Sequence, residues 1–111
     1  MEAEKYKSLI VKQAEDDIRE TLAYISEELQ NPQAAQKLWS DILNAVDTIT
    51  TYPYSMPKLK NKKITLGNEY RRTEVKNFVI VYKVIEETKE LRIMAVLYGA
   101  SDVVTKLTER I

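Results

Sequence analysis

The sequence predicts a two-layer α+β domain in which an antiparallel pair of helices packs on one face of a β-sheet. Two consecutive segments carry apolar residues at helical spacing, and three later segments have the length and composition of strands. A helical pair of this kind can bury its apolar surface only against a sheet. We therefore expect one domain, residues 1–111, with the order β-α-α-β-β-β and a short C-terminal helix.

The first strand is predicted over residues 5–11, where an alternating pattern ends in three consecutive apolar residues. Glu15, Asp16 and Asp17 then fall in the first turns of a helix, where the helix dipole favours negative charge. That helix is predicted over about residues 13–30, because apolar side chains recur three or four residues apart: Ala14, Ile18, Leu22, Ile25 and Leu29.

Asn31 and Pro32 separate the two helices, since asparagine suits the N-cap and proline suits the first helical position. So short a break predicts that the second helix folds back antiparallel to the first. We place Trp39 in the core with the other apolar residues of the second helix, which runs to about Thr51: Ala35, Leu38, Ile42, Val46 and Ile49.

Three strands are predicted over about residues 69–76, 78–85 and 91–98, with a charged connection between the last two. They form a three-stranded antiparallel meander in which Tyr82 is a core residue. A long loop over residues 53–68 precedes them, and loops of this length are usually functional or mobile. The predicted tail helix covers residues 103–110, with Asp102 as its N-cap.

The composition excludes several kinds of chemistry. The chain has no cysteine and no histidine, so disulfides are excluded, a zinc site is disfavoured, and proton transfer must use Lys, Tyr, Asp or Glu. Only two glycines occur, too few for a phosphate-cradling loop. We expect no metal and no cofactor. No apolar run approaches the roughly 20 residues of a membrane span, and no signal peptide is evident, so we expect a cytoplasmic protein with no membrane partner.

Charge is unevenly distributed although the formal net charge is zero. Residues 1–51 contain 5 Lys/Arg and 10 Asp/Glu, residues 52–83 contain 8 and 2, and residues 84–111 contain 4 and 5. The middle third is therefore strongly basic. Such asymmetry favours an anionic partner, while a solvated basic loop is the alternative.

Four local features resemble the RelE/ParE superfamily of bacterial toxins from type II toxin–antitoxin modules. They are the helical pair broken at residues 27–35, the helix exit at Tyr52-Pro53, the arginine strand followed by an apolar strand over 70–82, and the ending Val96-Leu97-Tyr98-Gly99-Ala100-Ser101-Asp102. Together they cover nearly the whole chain. This ending is similar to ParE-like members and to those described as plasmid stabilisation proteins.

The resemblance implies a growth-inhibiting toxin that is neutralised by a cognate antitoxin protein. A homodimer or a toxin–antitoxin hetero-oligomer is expected. The first expectation is ribosome-dependent cleavage of messenger RNA by a metal-independent endoribonuclease, which makes the ribosome and mRNA its partners. The alternatives are poisoning of DNA gyrase, and an inactive homologue that only binds an antitoxin.

The resemblance also implies site residues. Arg72, Tyr98 and Lys60 are the expected catalytic residues, because RNA cleavage needs proton transfer and stabilisation of the charged phosphorane. Arg71 and Arg72 are adjacent on a strand, so at most one of them faces a given substrate. For Tyr98, a role as a stacking surface or in packing stays open. The expected nucleic-acid-binding residues are Lys58, Lys62, Lys63, Arg71 and Lys76.

The chain departs from the RNA-cleaving members at one important position. Those members usually carry an arginine just before the apolar-apolar-tyrosine motif of the third strand, and this chain has Val79 there. It also has Gly99-Ala100-Ser101 where several ribonucleases place a further arginine. A valine cannot stabilise a phosphorane. This departure brings gyrase poisoning close behind RNA cleavage and motivates the inactive alternative. RNA cleavage stays the first expectation, because a lysine-rich segment precedes Arg71 and Arg72.

Overall fold

The computed structural model describes residues 5–59 and 69–99. Within them the predicted order of elements is confirmed. The predicted tail helix over 103–110 and its N-cap Asp102 lie outside the described residues. The elements are β1 (Lys7–Ile10), α1 (Lys12–Ala23), α2 (Pro32–Thr51), β2 (Arg71–Val75), β3 (Phe78–Ile85) and β4 (Glu90–Tyr98).

The break between the helices is built partly as predicted. Asn31 caps α2, because its side-chain oxygen accepts a hydrogen bond from the Ala34 N–H at 3.1 Å, and Pro32 occupies the first helical position. The first helix is shorter than expected. Its α-helical part ends at Ala23, and a π-helical turn over Tyr24–Glu28 continues it. Hydrophobic periodicity does not distinguish an α-turn from a π-turn over so few residues.

The sheet is mixed, with the strand order β1-β4-β3-β2. β2, β3 and β4 form the predicted antiparallel meander, and β1 pairs with β4 in parallel. A register shift between Val81 and Tyr82 marks a bulge in the β3–β4 pair. β3 and β4 are therefore the central strands, and their long apolar sequences are explained by burial on both faces.

The helices cover one face of the sheet, called here the helix face. Its core joins Ile18 of α1 and Ile42 of α2 to side chains of the strands, including Ile80, Tyr82 and Ile93. The core role of Tyr82 is confirmed: its side chain is buried, and its hydroxyl donates to the Pro53 carbonyl at 2.8 Å. Burial raises the pKa of this phenol to about 12.

The opposite face, called here the second face, carries a smaller apolar cluster. Val79, Val81, Ala95 and Leu97 project from the two central strands, and Leu59 packs against them. Leu59 is the last described residue before residues 60–68, which include Lys60, Lys62 and Lys63 and are called here the lysine-rich segment. The sheet thus has two sides of unequal character, and the arginines of β2 are divided between them.

One prediction about the helices is wrong, and another is incomplete. Trp39 is not a core residue: it is 37% exposed, because it lies about 100° around the helix from Leu38, which faces the sheet. Asp17 does more than favour the helix dipole. Its carboxylate accepts a hydrogen bond from the Val96 N–H at 3.0 Å and so joins α1 to β4. Over the described ranges, neither helix has the length and apolarity needed to cross a membrane.

Candidate functional site

Arg71, which was expected to bind nucleic acid, is held by contacts within the protein. It is only 9% exposed and lies on the helix face, opposite Tyr82 in the β2–β3 register. Its guanidinium donates to the carbonyls of Tyr54 at 3.2 Å and Met56 at 2.6 Å, and to the Glu69 carboxylate at 2.6 Å. It also lies over the Tyr54 ring, 5.2 Å from the centroid. These hydrogen bonds use both terminal nitrogens of the guanidinium, Nη1 and Nη2.

The residues that flank the lysine-rich segment are held together by backbone bonds. The Leu59 N–H donates to the Tyr70 carbonyl at 2.8 Å, and the Arg72 N–H donates to the Pro57 carbonyl at 3.1 Å. Lys58 bridges to Arg71 through the backbone, and its ammonium lies 3.7 Å from Glu69. Three expected site lysines, Lys60, Lys62 and Lys63, lie outside the described residues.

Arg72 faces the second face of the sheet. It is paired in register with Val81, whose side chain belongs to the second-face cluster. Its side chain is 26% exposed and donates to the Glu74 carboxylate at 3.0 Å. Among the described residues its partner is one largely exposed carboxylate, which leaves hydrogen-bonding capacity of the guanidinium available for an external partner.

Tyr98 lies on the other side of the sheet from Arg72. It pairs in register with Phe78 and packs edge-on against that ring, with 5.4 Å between the centroids. Phe78 contacts the helix-face core, and its neighbour Val79 contacts the second-face cluster. The alternation of a strand therefore separates the Tyr98 and Arg72 side chains by the full thickness of the sheet.

The remaining described candidates are also dispersed. Lys76 occupies the turn between β2 and β3 with a positive φ of 56°, and its ammonium is 3.9 Å from Asp41. The bond from Lys37 and the nearby Lys76 lower the pKa of Asp41. Val79, where an arginine would be expected for RNA cleavage, is buried in the second face. The described residues do not assemble Arg72, Tyr98 and Lys76 into one site.

A polar cluster at one end of the sheet was not predicted from the sequence. Tyr6 and Tyr54 meet edge-on, with centroids 6.5 Å apart, and both hydroxyls donate to the Glu86 carboxylate, as does Lys89. The bond from Lys89, with help from the two tyrosines, lowers the pKa of Glu86 to about 2. The bond to Glu86 raises the pKa of Tyr54. These residues are scattered in sequence, so no local spacing indicated them.

Comparison with known proteins identifies the family. A family model described as "ParE toxin of type II toxin-antitoxin system, parDE" matches residues 9–103, most of the chain. The chain belongs to the ParE toxin family. A solved structure titled "Chromosomal ParDE TA system from P. aeruginosa" is similar in fold, with a TM-score of 0.66, 15% identity, and coverage of 86% of this chain and 97% of that one. No curated protein matches the sequence.

The ParE-family chain has an open groove between its two helices. The groove has a volume of about 640 Å³. Trp39 lines one wall, with Glu15, Arg19 and Glu27 at charged positions around it. Its apolar lining comes from both helices and from the end of β1: Ile10, Ile18, Leu22, Ala23, Pro32 and Ala35. A groove of this kind fits the apolar side of a partner helix.

A second feature missed from the sequence of this ParE-family chain is a pair of cations on the second face. Lys83 of β3 and Arg92 of β4 are directly opposite in the antiparallel register. Neither was singled out, because each reads as a solvated position in an otherwise apolar strand. Among the described residues, no cluster of acidic side chains is suited to hold a metal ion.

Proposed function

We propose that this ParE-family toxin arrests growth by binding and poisoning DNA gyrase through the second face of its sheet. Gyrase was the alternative target in the sequence analysis, and ribosome-dependent mRNA cleavage was the first. The ordering is reversed by one observation: Arg72 and Tyr98 project from opposite faces. A cleavage site needs its cation and its proton-transfer group within hydrogen-bonding reach of one phosphate.

The second face suits protein binding. It carries the partly exposed Arg72 beside a buried apolar cluster of the central strands, and arginine is enriched in protein interfaces. Val79 is buried and contributes no charge there. Poisoning a protein target requires affinity and no proton transfer by the toxin, so the separation of Arg72 from Tyr98 does not impair it.

Messenger RNA cleavage is the second candidate, favoured by one observation. Leu59 packs on the second face, so the chain enters the lysine-rich segment on the same side of the sheet as Arg72. A ribonuclease built this way would use Arg72 with Lys60 and would leave Tyr98 without a catalytic role. Lys58, Lys62 and Lys63 would then bind the RNA backbone.

The groove between α1 and α2 is the proposed docking site of the cognate antitoxin. Exposed Trp39 supplies a large apolar surface at its wall. A helix bound in the groove would leave the second face open to the target. Neutralisation would then require a further antitoxin segment that covers the second face. Helix-in-groove docking therefore accounts for partner recognition without using the proposed toxic surface.

Induced expression without antitoxin tests the proposal. Growth arrest with double-strand DNA breaks, intact transcripts and gyrase-dependent DNA cleavage by purified toxin is the expected result. Arrest with cleaved transcripts and no effect on purified gyrase would support the ribonuclease and overturn the proposal. Normal growth at confirmed expression, with antitoxin binding retained, would identify an inactive homologue.

A further inference from the structure

Lys83 and Arg92 form an unfavourable pair within the sheet. Their neighbours Tyr82 and Leu91 are buried in the helix-face core, so both cations project from the second face. Like charges directly opposite each other on adjacent strands destabilise a sheet. A pair that costs stability and does not serve the core is a candidate for function.

Within residues 5–59 and 69–99, the pair has too few nearby anions to neutralise it. Arg92 has one carboxylate nearby, Glu90 on its own strand, at 3.4 Å. The Arg92 Nε is buried and has no hydrogen-bond partner in the described part of the chain, although the side chain as a whole is 41% exposed. No described carboxylate lies within ion-pairing distance of Lys83. Among the described residues, Arg92 therefore has one weakly placed carboxylate and Lys83 has none within ion-pairing distance.

The surroundings of the pair indicate the class of ligand. Leu9 of β1 is beside Arg92 in register and is 43% exposed, and Ile85 lies two residues beyond Lys83 on the same side. Arg72 adds a third cation on the same face. An acidic protein segment with apolar side chains would use both kinds of surface, whereas a nucleic-acid backbone would use only the cations.

We propose that Lys83 and Arg92 bind a carboxylate of an acidic, partly apolar segment of the protein target, with Leu9 contacting its apolar side chains. The arginine fork and the ammonium would hold one carboxylate between them. The inference rests on the proposed function, since it takes gyrase as the target. It adds two binding residues and the chemistry that they recognise.

Binding of purified gyrase to the K83Q/R92Q variant tests the inference. We expect binding at least roughly tenfold weaker than that of the wild type, because two charge contacts are lost. The melting temperature should stay the same or rise, because the like-charge pair is removed. The matched control is K12Q/K37Q, which removes two positive charges from the helices, where each lysine has an i,i+4 carboxylate partner.

The outcomes separate the inference from the proposed function. If gyrase binds the wild type and K83Q/R92Q with equal affinity, the inference is overturned and gyrase remains the target. Equal weakening in K83Q/R92Q and K12Q/K37Q also overturns it, because net charge alone would then explain the loss. Absence of wild-type binding overturns both. If the double variant fails to fold, Lys83→Gln alone decides, with roughly threefold weaker binding expected and unchanged binding contradicting it.

Discussion

Two neighbouring arginines show how differently the two sides of the sheet are used. Arg71 lies on the helix face, and its guanidinium donates to two carbonyls and one carboxylate and lies over an aromatic ring. Arg72 lies on the second face with one exposed carboxylate partner, and the nearby Lys83 and Arg92 are paired still less well. The two arginines carry the same charge, and they differ in the groups that surround them.

The difference separates support from recognition. A buried cation is retained in a stable fold when its hydrogen-bonding groups are satisfied, and removing it then leaves its partners unsatisfied. A cation with few partners contributes little to stability and remains able to bind an external anion. We therefore assign Arg71 to holding the residues around Tyr54 in place, and the second-face cations to binding the target.

The largest expected effect comes from Arg71→Ala. The change removes a nearly buried cation and its bonds to Tyr54, Met56 and Glu69, and should lower the free energy of unfolding by about 3 kcal/mol. Urea denaturation measures it. Arg72→Ala is the matched control and should cost less than about 0.5 kcal/mol. Equal losses in the two variants would remove the distinction between the faces.

A smaller effect is expected at the groove, which belongs to neither arginine. Trp39→Ala should weaken antitoxin binding by about 2 kcal/mol, roughly thirtyfold, because exposed tryptophans in apolar grooves are frequent hot spots. Calorimetric titration with the cognate antitoxin measures it. Leu43→Ala, an exposed leucine on the same helix outside the groove lining, is the control. Unchanged affinity for Trp39→Ala would place the antitoxin elsewhere.

The smallest effect concerns the polar cluster beside Arg71. The folded-state pKa of Glu86 is lowered from its ordinary 4.5 to about 2, so its carboxylate stabilises the fold above about pH 4.5, and this contribution is lost as the pH falls towards 2. Glu86→Gln should be less stable than the wild type at pH 7, with a difference that shrinks below pH 5. Denaturation midpoints at pH 7, 5 and 3 measure it, with the neighbouring Glu87→Gln as control. A pH-independent difference would show that the carboxylate charge is irrelevant.

Local patterns in the sequence predicted the elements and much of the core. These patterns involve residues only a few positions apart in the sequence. Examples are the spacing of Ala14 and Ile18, the cap at Asn31-Pro32 and the apolar sequence of β3. The parallel pairing of β1 with β4 was not predicted, because it joins distant parts of the chain and leaves no local signal. The exposure of Trp39 likewise depends on how the two helices meet.

The candidate site was harder to predict for the same reason. Alternation required Arg71 and Arg72 to diverge, but only packing decides which of them is buried. The meeting of Tyr6 with Tyr54, and of Lys83 with Arg92, depends on strand order and hairpin register. Equal charges opposite each other also run against the usual stabilising pattern of a sheet, so a search for favourable pairs overlooks them.

The most direct test compares gyrase-mediated DNA cleavage by Arg72→Ala and Tyr98→Phe at equal concentrations of folded toxin. It asks whether the toxic surface is confined to the second face. The account predicts that Arg72→Ala loses most of the wild-type activity and that Tyr98→Phe, altered on the helix face, keeps it. Full gyrase-mediated DNA cleavage by Arg72→Ala would contradict it. So would loss of that activity in Tyr98→Phe together with transcript cleavage by the wild-type toxin.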